Sequence, residues 1–471
     1  MNIKSIYFNK RFWRSAIPLA LPIAFQNLLA ASSSMVDTFM IAGLGDTALS
    51  SVGMASQFSW LFNCVIFGLG SGTAIFVSQY WGNNDKKSIH RTEGISLTAA
   101  VIVSLLFCFF AFFFSDFIIG IYSKTPLVIE YGAEYLRYAC WSYIPIALSF
   151  VMCIVLRSTE SVKLPVAISL ATSAMNIVLN YCLIYGRFGL PRMGTAGAAL
   201  ATTLANWLGL AVLIIICLVR KNILCAPLRE LSGFGRHHVA EFFIKALPAV
   251  GNETIWALGT VTMNAILSNM GDEYYAGVTI QRTVENVAFV FAVGLCNACS
   301  ILVGKAVGSG QLKEAKETAI RFSFVMPLLS IATSLVLVLL RHPIVSLFTM
   351  NGEYSQLSIS TAALCIATYA LILPARNMPY LYIVGVFRPG GDPRTGLICD
   401  IIPLWLISIP VTAVLAYFVK LPFSLVYLIM YLCEDIPKAA ICIGYFLTGK
   451  WIRPVTDEGK AALEKMKAEK H

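Results

Sequence analysis

Charge is what this sequence has least of. Only 13% of its 471 residues are Asp, Glu, Lys or Arg, against 58% that are hydrophobic, whereas a soluble domain carries about 25% charged residues. A chain of this length can bury a large core, but so few charges cannot cover that core against water. Hydrocarbon must solvate most of the surface. Apolar runs of about 20 residues, enough to cross a bilayer as helix, recur along the chain. Motifs for nucleotide or hydrolytic chemistry are missing too: no Walker A run, no H-E-x-x-H and no G-x-S-x-G occurs, and there are five His. Energy for any transport is therefore expected from an ion gradient, and no cofactor is expected.

What is present needs sorting by place. Cys108, Cys140, Cys153, Cys182, Cys217, Cys365 and Cys442 lie inside apolar runs, as small core residues do, so neither a disulfide framework nor a metal-thiolate site is expected. The net charge of +10 could suggest nucleic acid, but the basic residues fall between apolar stretches. Topology explains them better, and no nucleic-acid partner is expected. Lys10, Arg11 and Arg14 precede an apolar stretch at 15–43, too long for a signal peptide. It reads as the first span.

Apolar periodicity and turn residues give the fold class: an all-α polytopic membrane protein with twelve transmembrane helices in two pseudo-symmetric six-helix lobes. The spans fall at 15–43, 52–80, 96–119, 135–156, 165–184 and 195–219, then at 242–269, 275–303, 322–340, 357–387, 396–418 and 424–447. The expected organisation is an N-lobe at 1–219, a basic linker at 220–245, a C-lobe at 246–450 and a tail at 451–471, with a surface helix in the tail. With the N-terminus inside, and with Arg137 and Lys245 at the span ends counted with the loops they adjoin, the inner segments hold 26 Lys and Arg and the outer loops 6. That bias places both termini in the cytoplasm.

The chain also repeats itself. At an offset of 226, Pro22 meets Pro248, Gly45-Asp46 meets Gly271-Asp272, Gly68-Leu69 meets Gly294-Leu295, Gly82 meets Gly308 and Lys87 meets Lys313. Farther on the offset becomes 231, and Val155-Leu-Arg157 meets Val386-Phe-Arg388. Six helices per half is an even number, so the repeat is parallel, with its axis along the membrane normal. Two such halves enclose a cleft that rocking exposes to each side in turn.

Ionisable groups within spans cost a few kcal/mol and need a partner, water or a task. The first span carries Gln26, Ala30, Ser33 and Asp37 at i, i+4, i+7 and i+11, one narrow polar face. The fifth carries Ser169, Ser173, Asn176 and Asn180 at the same spacing, and the sixth Thr202 and Asn206. One carboxylate, two amides and a hydroxyl are hard oxygen ligands, suited to Na+ or to a proton on Asp37. The competing reading is a hydrogen-bond network that joins helices. In the second half, Glu253, Ala257, Thr260 and Asn264 share one face of the seventh span, while Gln281, Arg282 and Glu285 sit on the eighth. Glu253 has no charged neighbour in sequence and could titrate. Glu285 could pair with Arg282. Arg376-Asn377 in the tenth span could answer Glu253 or Glu285, and Asp400 could pair with Arg388 or Arg394. Glu434, Asp435 and Lys438 form a structural cluster in the twelfth.

These features resemble the multidrug and toxic compound extrusion (MATE) family, in its bacterial NorM-like branch. The resemblance rests on Met35-Val-Asp-Thr-Phe-Met40, Val77-Ser-Gln-Tyr-Trp-Gly82, Val303-Gly-Lys-Ala-Val-Gly308, Arg282-Thr-Val-Glu285 and Val386-Phe-Arg-Pro-Gly-Gly-Asp392. It implies an exporter of small hydrophobic or cationic drug-like molecules that exchanges them for Na+ or H+, working as a monomer in lipid. It also implies a cation site at Asp37, matched by Asn176, Asn180 and Thr202. Some relatives have Asp where Asn180 stands, which leaves the ion open here. The acid of the family's seventh helix is matched only approximately by Glu253, and Arg376 and Asn377 stand where some members have an acid. Two other functions fit the residues less well: a flippase of lipid-linked precursors, which would want a more basic cleft, and an intramembrane enzyme using Asp37 or Glu253.

Overall fold

The structure is a computed structural model that describes residues 10–349 and 355–469; Lys470 of the tail lies outside them. Twelve long helices carry the chain. They are α1 (Lys10–Ala42), α2 (Asp46–Gly82), α3 (Lys86–Phe113), α4 (Pro126–Ser158), α5 (Lys163–Tyr185) and α6 (Gly194–Arg220), followed by α7 (Arg236–Ser268), α8 (Asp272–Gly308), α9 (Leu312–Thr349), α10 (Gln356–Phe387), α11 (Pro393–Val419) and α12 (Phe423–Thr448). The tail adds α13 (Asp457–Ala468), capped by Thr456, whose hydroxyl accepts from the Gly459 amide. There is no strand among the described residues.

Ten of the helices are long and apolar enough to cross a membrane. The other two, α7 and α12, keep the length, at 33 and 26 residues. Asn252 and Glu253 lower the hydropathy of α7, while Glu434, Asp435 and Lys438 crowd the middle of α12. Large apolar side chains such as Phe109 and Phe113 on α3 and Leu335 and Leu339 on α9 are exposed, as lipid-facing surfaces are. The buried set is rich in Ala, and small residues let helices approach closely where lipid offers no hydrophobic drive.

Proline explains where helices depart from regular geometry. α4 starts nine residues earlier than the sequence pattern gives and passes through a 3-10 turn at Cys140–Ser142. Pro145 has no amide to give the Trp141 carbonyl four residues back. The Trp207 indole of α6 donates to that carbonyl instead, at 3.1 Å. In α10, Pro374 and Pro379 precede a π-helical stretch, Leu381–Phe387. In α11, Pro403 opens one π-helical stretch and Pro410 precedes another. A missing amide shifts the ladder to i→i+5 partners, and such bulges collect at functional sites.

Contacts gather the described chain into two compact units. Unit 1 takes the chain up to Ala24, Ser78–Asn83, and everything from Gly251 on; unit 2 takes Phe25–Val77 and Asn84–Val250. Thus α1, α2 and α7 each divide between units. The repeat reappears in the contacts within each. In unit 2, Gly68 of α2 lies against Val250 of α7; in unit 1, Gly294 of α8 lies against Ala24 of α1. Both members of the second pair are the first pair shifted by 226. The last turns of α2 and α8, both in unit 1, meet reciprocally. A methyl on Gly82 would overlap the Lys305 carbonyl, and one on Gly308 would overlap the Gln79 carbonyl. Residues 79 and 305 are themselves one offset apart.

This approach makes a test. Gly308→Ala forces backbone apart and is expected to cost about 1–3 kcal/mol, the usual range for overpacking. Gly444→Ala, where a Cβ meets nothing within 4 Å, should be neutral or slightly stabilising. Thermal unfolding of the purified variants in detergent distinguishes them; equal melting temperatures would refute the close approach.

Candidate cation site and the charges within the spans

Unit 2 brings together the four residues expected from the sequence to hold a cation. Asp37 comes from α1, Asn176 and Asn180 from one face of α5, and Thr202 from α6. The Asn180 amide donates to Asp37 Oδ1 at 2.6 Å and also reaches Asn176 Oδ1 at 3.3 Å. Asn176 Nδ2 donates to Thr202 Oγ1 at 3.1 Å. Turned over, the Asn176 amide instead donates to Asp37 at 2.9 Å and accepts from Thr202. Both amides are buried, and Asn180 Oδ1 has no hydrogen-bond partner. Among the described residues Asp37 makes no ion pair.

Asp37 lines a cavity of about 340 Å³ with Gln26, Ser33, Asn176, Thr202 and Arg157, within the size of small-molecule sites. Ile146, Phe150 and Ile168 supply apolar wall. Beyond Asp37, α1 enters an apolar cluster of Ile41, Val52, Ile184 and Ala198, and the Tyr185 hydroxyl ties down the Met40 carbonyl at 2.9 Å. The acid therefore faces a polar cavity on one side and a closed apolar plug on the other.

One group of this cavity escapes the sequence reading. Arg157 looks like a loop residue, yet it lines the cavity and donates to Gln26 Oε1 at 2.7 Å. The signal that could have found it is the repeat, which aligns it with Arg388.

In unit 1 the charges are arranged differently. Glu253 is not the isolated acid its sequence surroundings suggest, because the Arg388 guanidinium donates to it at 2.7 Å. Glu285 pairs not with Arg282 but with Arg376, at 3.0 Å; one turn away on a helix is nearer in sequence, but α10 is packed against α8. Arg376 also meets Asp435 at 3.4 Å and lies 5.1 Å over the Tyr431 ring. Asp400 pairs with neither Arg388 nor Arg394. It accepts from Lys438 at 2.7 Å and from Asn252 at 2.8 Å. Glu434 holds Lys438 from one turn away at 2.9 Å, as expected.

The remaining polar candidates of this half have mostly structural partners. Gln281 is fully buried, donating to Glu285 at 3.1 Å and accepting from the Tyr427 hydroxyl at 2.9 Å. Asn377 donates to Ser330 on α9 at 2.8 Å. Asn264 leaves its Oδ1 buried without a partner. Cys296 and Cys299 stand at C-x-x-C spacing in α8, but both are fully buried free thiols. No group of three or more His, Cys, Asp or Glu suited to a metal ion occurs among the described residues.

A polytopic helical membrane protein, doubled in sequence and in its contacts, with an acid set among amides in the first repeat: that is the class these features define. The chain belongs to the MatE family. The family's model matches it twice, over residues 22–182 and 248–414, and the two matches start 226 residues apart, as the repeat does. It is 25% identical over 441 residues to "Probable multidrug resistance protein NorM" of Thermotoga maritima, covering 93% of each chain. It is 23% identical to "Uncharacterized transporter YisQ" of Bacillus subtilis over 94% of this chain and 91% of that one. Its fold matches a crystal structure of MATE in complex with MaL6, with a TM-score of 0.85 at 18% identity over 96% and 97% of the two chains. A MOP superfamily transporter from Pyrococcus furiosus matches with a TM-score of 0.84 at 18% identity, over 93% and 95%.

The paired charges of unit 1 make a second test. Arg376→Gln leaves Glu285 and the buried Asp435 without a countercharge and should destabilise by about 3–5 kcal/mol, the range for breaking a buried ion pair. Arg282→Gln, which removes no ion pair, should stay within about 1 kcal/mol. Detergent-solubilised melting curves read both; an undisturbed Arg376→Gln variant would mean that water, not arginine, meets those carboxylates.

Proposed function

We propose that the chain is a secondary active exporter of small hydrophobic or cationic organic molecules, exchanging them for Na+ or H+ by alternating access. The observation that carries this reading is the unpaired Asp37 carboxylate, facing a cavity and surrounded by amides that can turn. An Asn side chain offers two N–H donors on one side and a carbonyl oxygen on the other. With Asp37 ionised and empty, the amides serve it as donors. With Na+ bound, the same side chains turn their oxygens inward and join Asp37 and Thr202 as hard ligands. Asn180 Oδ1, buried and unpartnered, is the group such an ion would satisfy. A proton on Asp37 would discharge the site as well.

Either ligand removes the net charge that holds Asp37 in its polar surroundings. α1 carries Pro18 and Pro22, which interrupt its hydrogen-bond ladder and lower the cost of bending. Neutralisation shifts the balance between two packings of α1, and with it the side to which the cavity opens. An ion drives such a shift only by binding one state better. Reversing a 1:99 population takes about 5.5 kcal/mol of differential affinity. Drug and ion then use the same cleft in alternation. The two six-helix lobes are the moving bodies, both termini lie in the cytoplasm of a bacterial cell, and the working unit is one chain. The basic-residue bias of 26 to 6 supports that orientation. A lipid-linked precursor flippase fits less well, because Arg376, Arg388 and Lys438 already hold carboxylates.

The test uses proteoliposomes loaded with a fluorescent cation. Efflux is driven first by an imposed sodium gradient and then by a proton gradient. Asp37→Asn is expected to lower the coupled rate by at least about tenfold, equivalent to about 1.4 kcal/mol, with folding intact. Glu253→Gln should damage it less. Coupled efflux at the wild-type rate in Asp37→Asn would reject the role of the acid.

A further inference from the structure

The repeat shows where the two halves part company. In unit 1 the last turn of α10 presents Arg388, which reaches back to α7 and holds Glu253 at 2.7 Å. In unit 2 the last turn of α4 presents Arg157, which reaches back in the same way to α1, but finds Gln26 at 2.7 Å. Shifted by 226, Gln26 falls on Asn252 and Asn27 on Glu253. The architecture is repeated and the acid is not. Arg157 forms no ion pair among the described residues, its Nε is buried without a hydrogen-bond partner, and so is the Asn27 Nδ2. A guanidinium has five donors and no acceptor, in a fork that matches a carboxylate or phosphate. Gln26 supplies one neutral oxygen to it.

Arg157 also lines the cavity that holds Asp37. Gln26 and Asp37 are eleven residues apart on α1, so about 16 Å separates the two ends at 1.5 Å per residue. Between them lie the hydroxyls of Ser33, Ser169 and Ser173 and the ring of Phe150. The cavity is therefore bipolar, with an acid at one end and an uncompensated arginine at the other.

We propose that Arg157 is an oxyanion subsite, where the carboxylate of a transported solute takes the place that Glu253 fills beside Arg388. Among solutes with an apolar or cationic body, this arginine selects those that also carry a carboxylate. This rests on the export reading for the word transported; the subsite itself rests on the cavity and the missing acid.

The probe is a pair of rhodamines identical but for one group, a benzoate methyl ester in one and the free benzoate in the other. Purified protein in phosphatidylcholine nanodiscs is titrated with each. The free acid should bind about tenfold more tightly, as a charge-assisted bidentate contact allows. Arg157→Gln should abolish the preference and Arg157→Lys should keep part of it. Gln26→Glu keeps the arginine, supplies the acid that the other repeat has, and should also bring the dyes level; it reads the site even if Arg157→Gln fails to fold. Equal affinities in the unmodified protein, or a preference that survives Gln26→Glu, would overturn the proposal. Displacement of the dye when phosphatidylglycerol is added would overturn the solute as occupant and give the site to a lipid phosphate. Movement of both dyes in proteoliposomes is followed in parallel. A preference without movement leaves the subsite standing and removes the exporter; movement without preference does the reverse.

Discussion

An ionised side chain in hydrocarbon costs a few kcal/mol unless a countercharge or water meets it, and the arrangement of helices in this protein follows from how each charge is met. Most of the charges within the spans of unit 1 are met by one another. Glu253 has Arg388, Glu285 and Asp435 share Arg376, and Asp400 and Glu434 share Lys438. These pairs cross between α7 and α10, α8 and α10, α10 and α12, and α11 and α12. They tie that bundle in one register, because sliding any helix by a turn would strand a charge. In unit 2, Asp37 and Arg157 have amides for partners and a cavity beside them. A charge left open in this way must be hydrated or occupied.

The helices, the doubling and the polar faces that carry the N-terminal candidate residues were legible in the sequence because each depends on local spacing. Asp37, Asn176, Asn180 and Thr202 were found by counting turns, since residues four and seven apart on a helix share a face. Their meeting in space follows once α1, α5 and α6 pack with polar faces inward. Of the ion pairs of unit 1, Arg376–Glu285 and Glu434–Lys438 were among those the sequence offered; Glu253–Arg388, Asp435–Arg376 and Asp400–Lys438 were not legible. Glu253 and Arg388 are 135 positions apart, and no periodicity links them. For Glu285 the sequence offered both Arg282, one turn away, and Arg376, and tertiary packing chose Arg376. The π-helical stretches of α10 and α11 were hidden for a different reason. Proline marks where the ladder breaks, but whether the helix ends, kinks or widens depends on what its neighbours can supply. At α4 the neighbour was the Trp207 indole.

Repetition is visible at two levels that differ in what they constrain. The glycine contacts, Gly68 on Val250 and Gly294 on Ala24, keep the same geometry in both halves, because close backbone approach admits no larger residue. The polar positions have diverged. Gln26 and Asn27 stand where the second half has Asn252 and Glu253, and no aspartate of the second half falls on the place of Asp37, which the offset gives to Met263. A duplicated scaffold has thus held its packing and changed its charges.

The end of α2 belongs to unit 1, although the rest of that helix does not. Gln79, fully buried there, donates to the Pro389 carbonyl and accepts from the Val455 amide, both at 2.8 Å. Thr456 bonds the Gly308 carbonyl beside it. The Gln79 bond to Val455 spans 376 residues. At about 5–20 residues per second, a ribosome takes roughly 20–75 seconds to cover that distance. For all that time the side-chain oxygen of Gln79 is without the amide that meets it in the folded protein. A segment made 376 residues later thus closes on a helix made early, so this contact cannot form while that helix is being made.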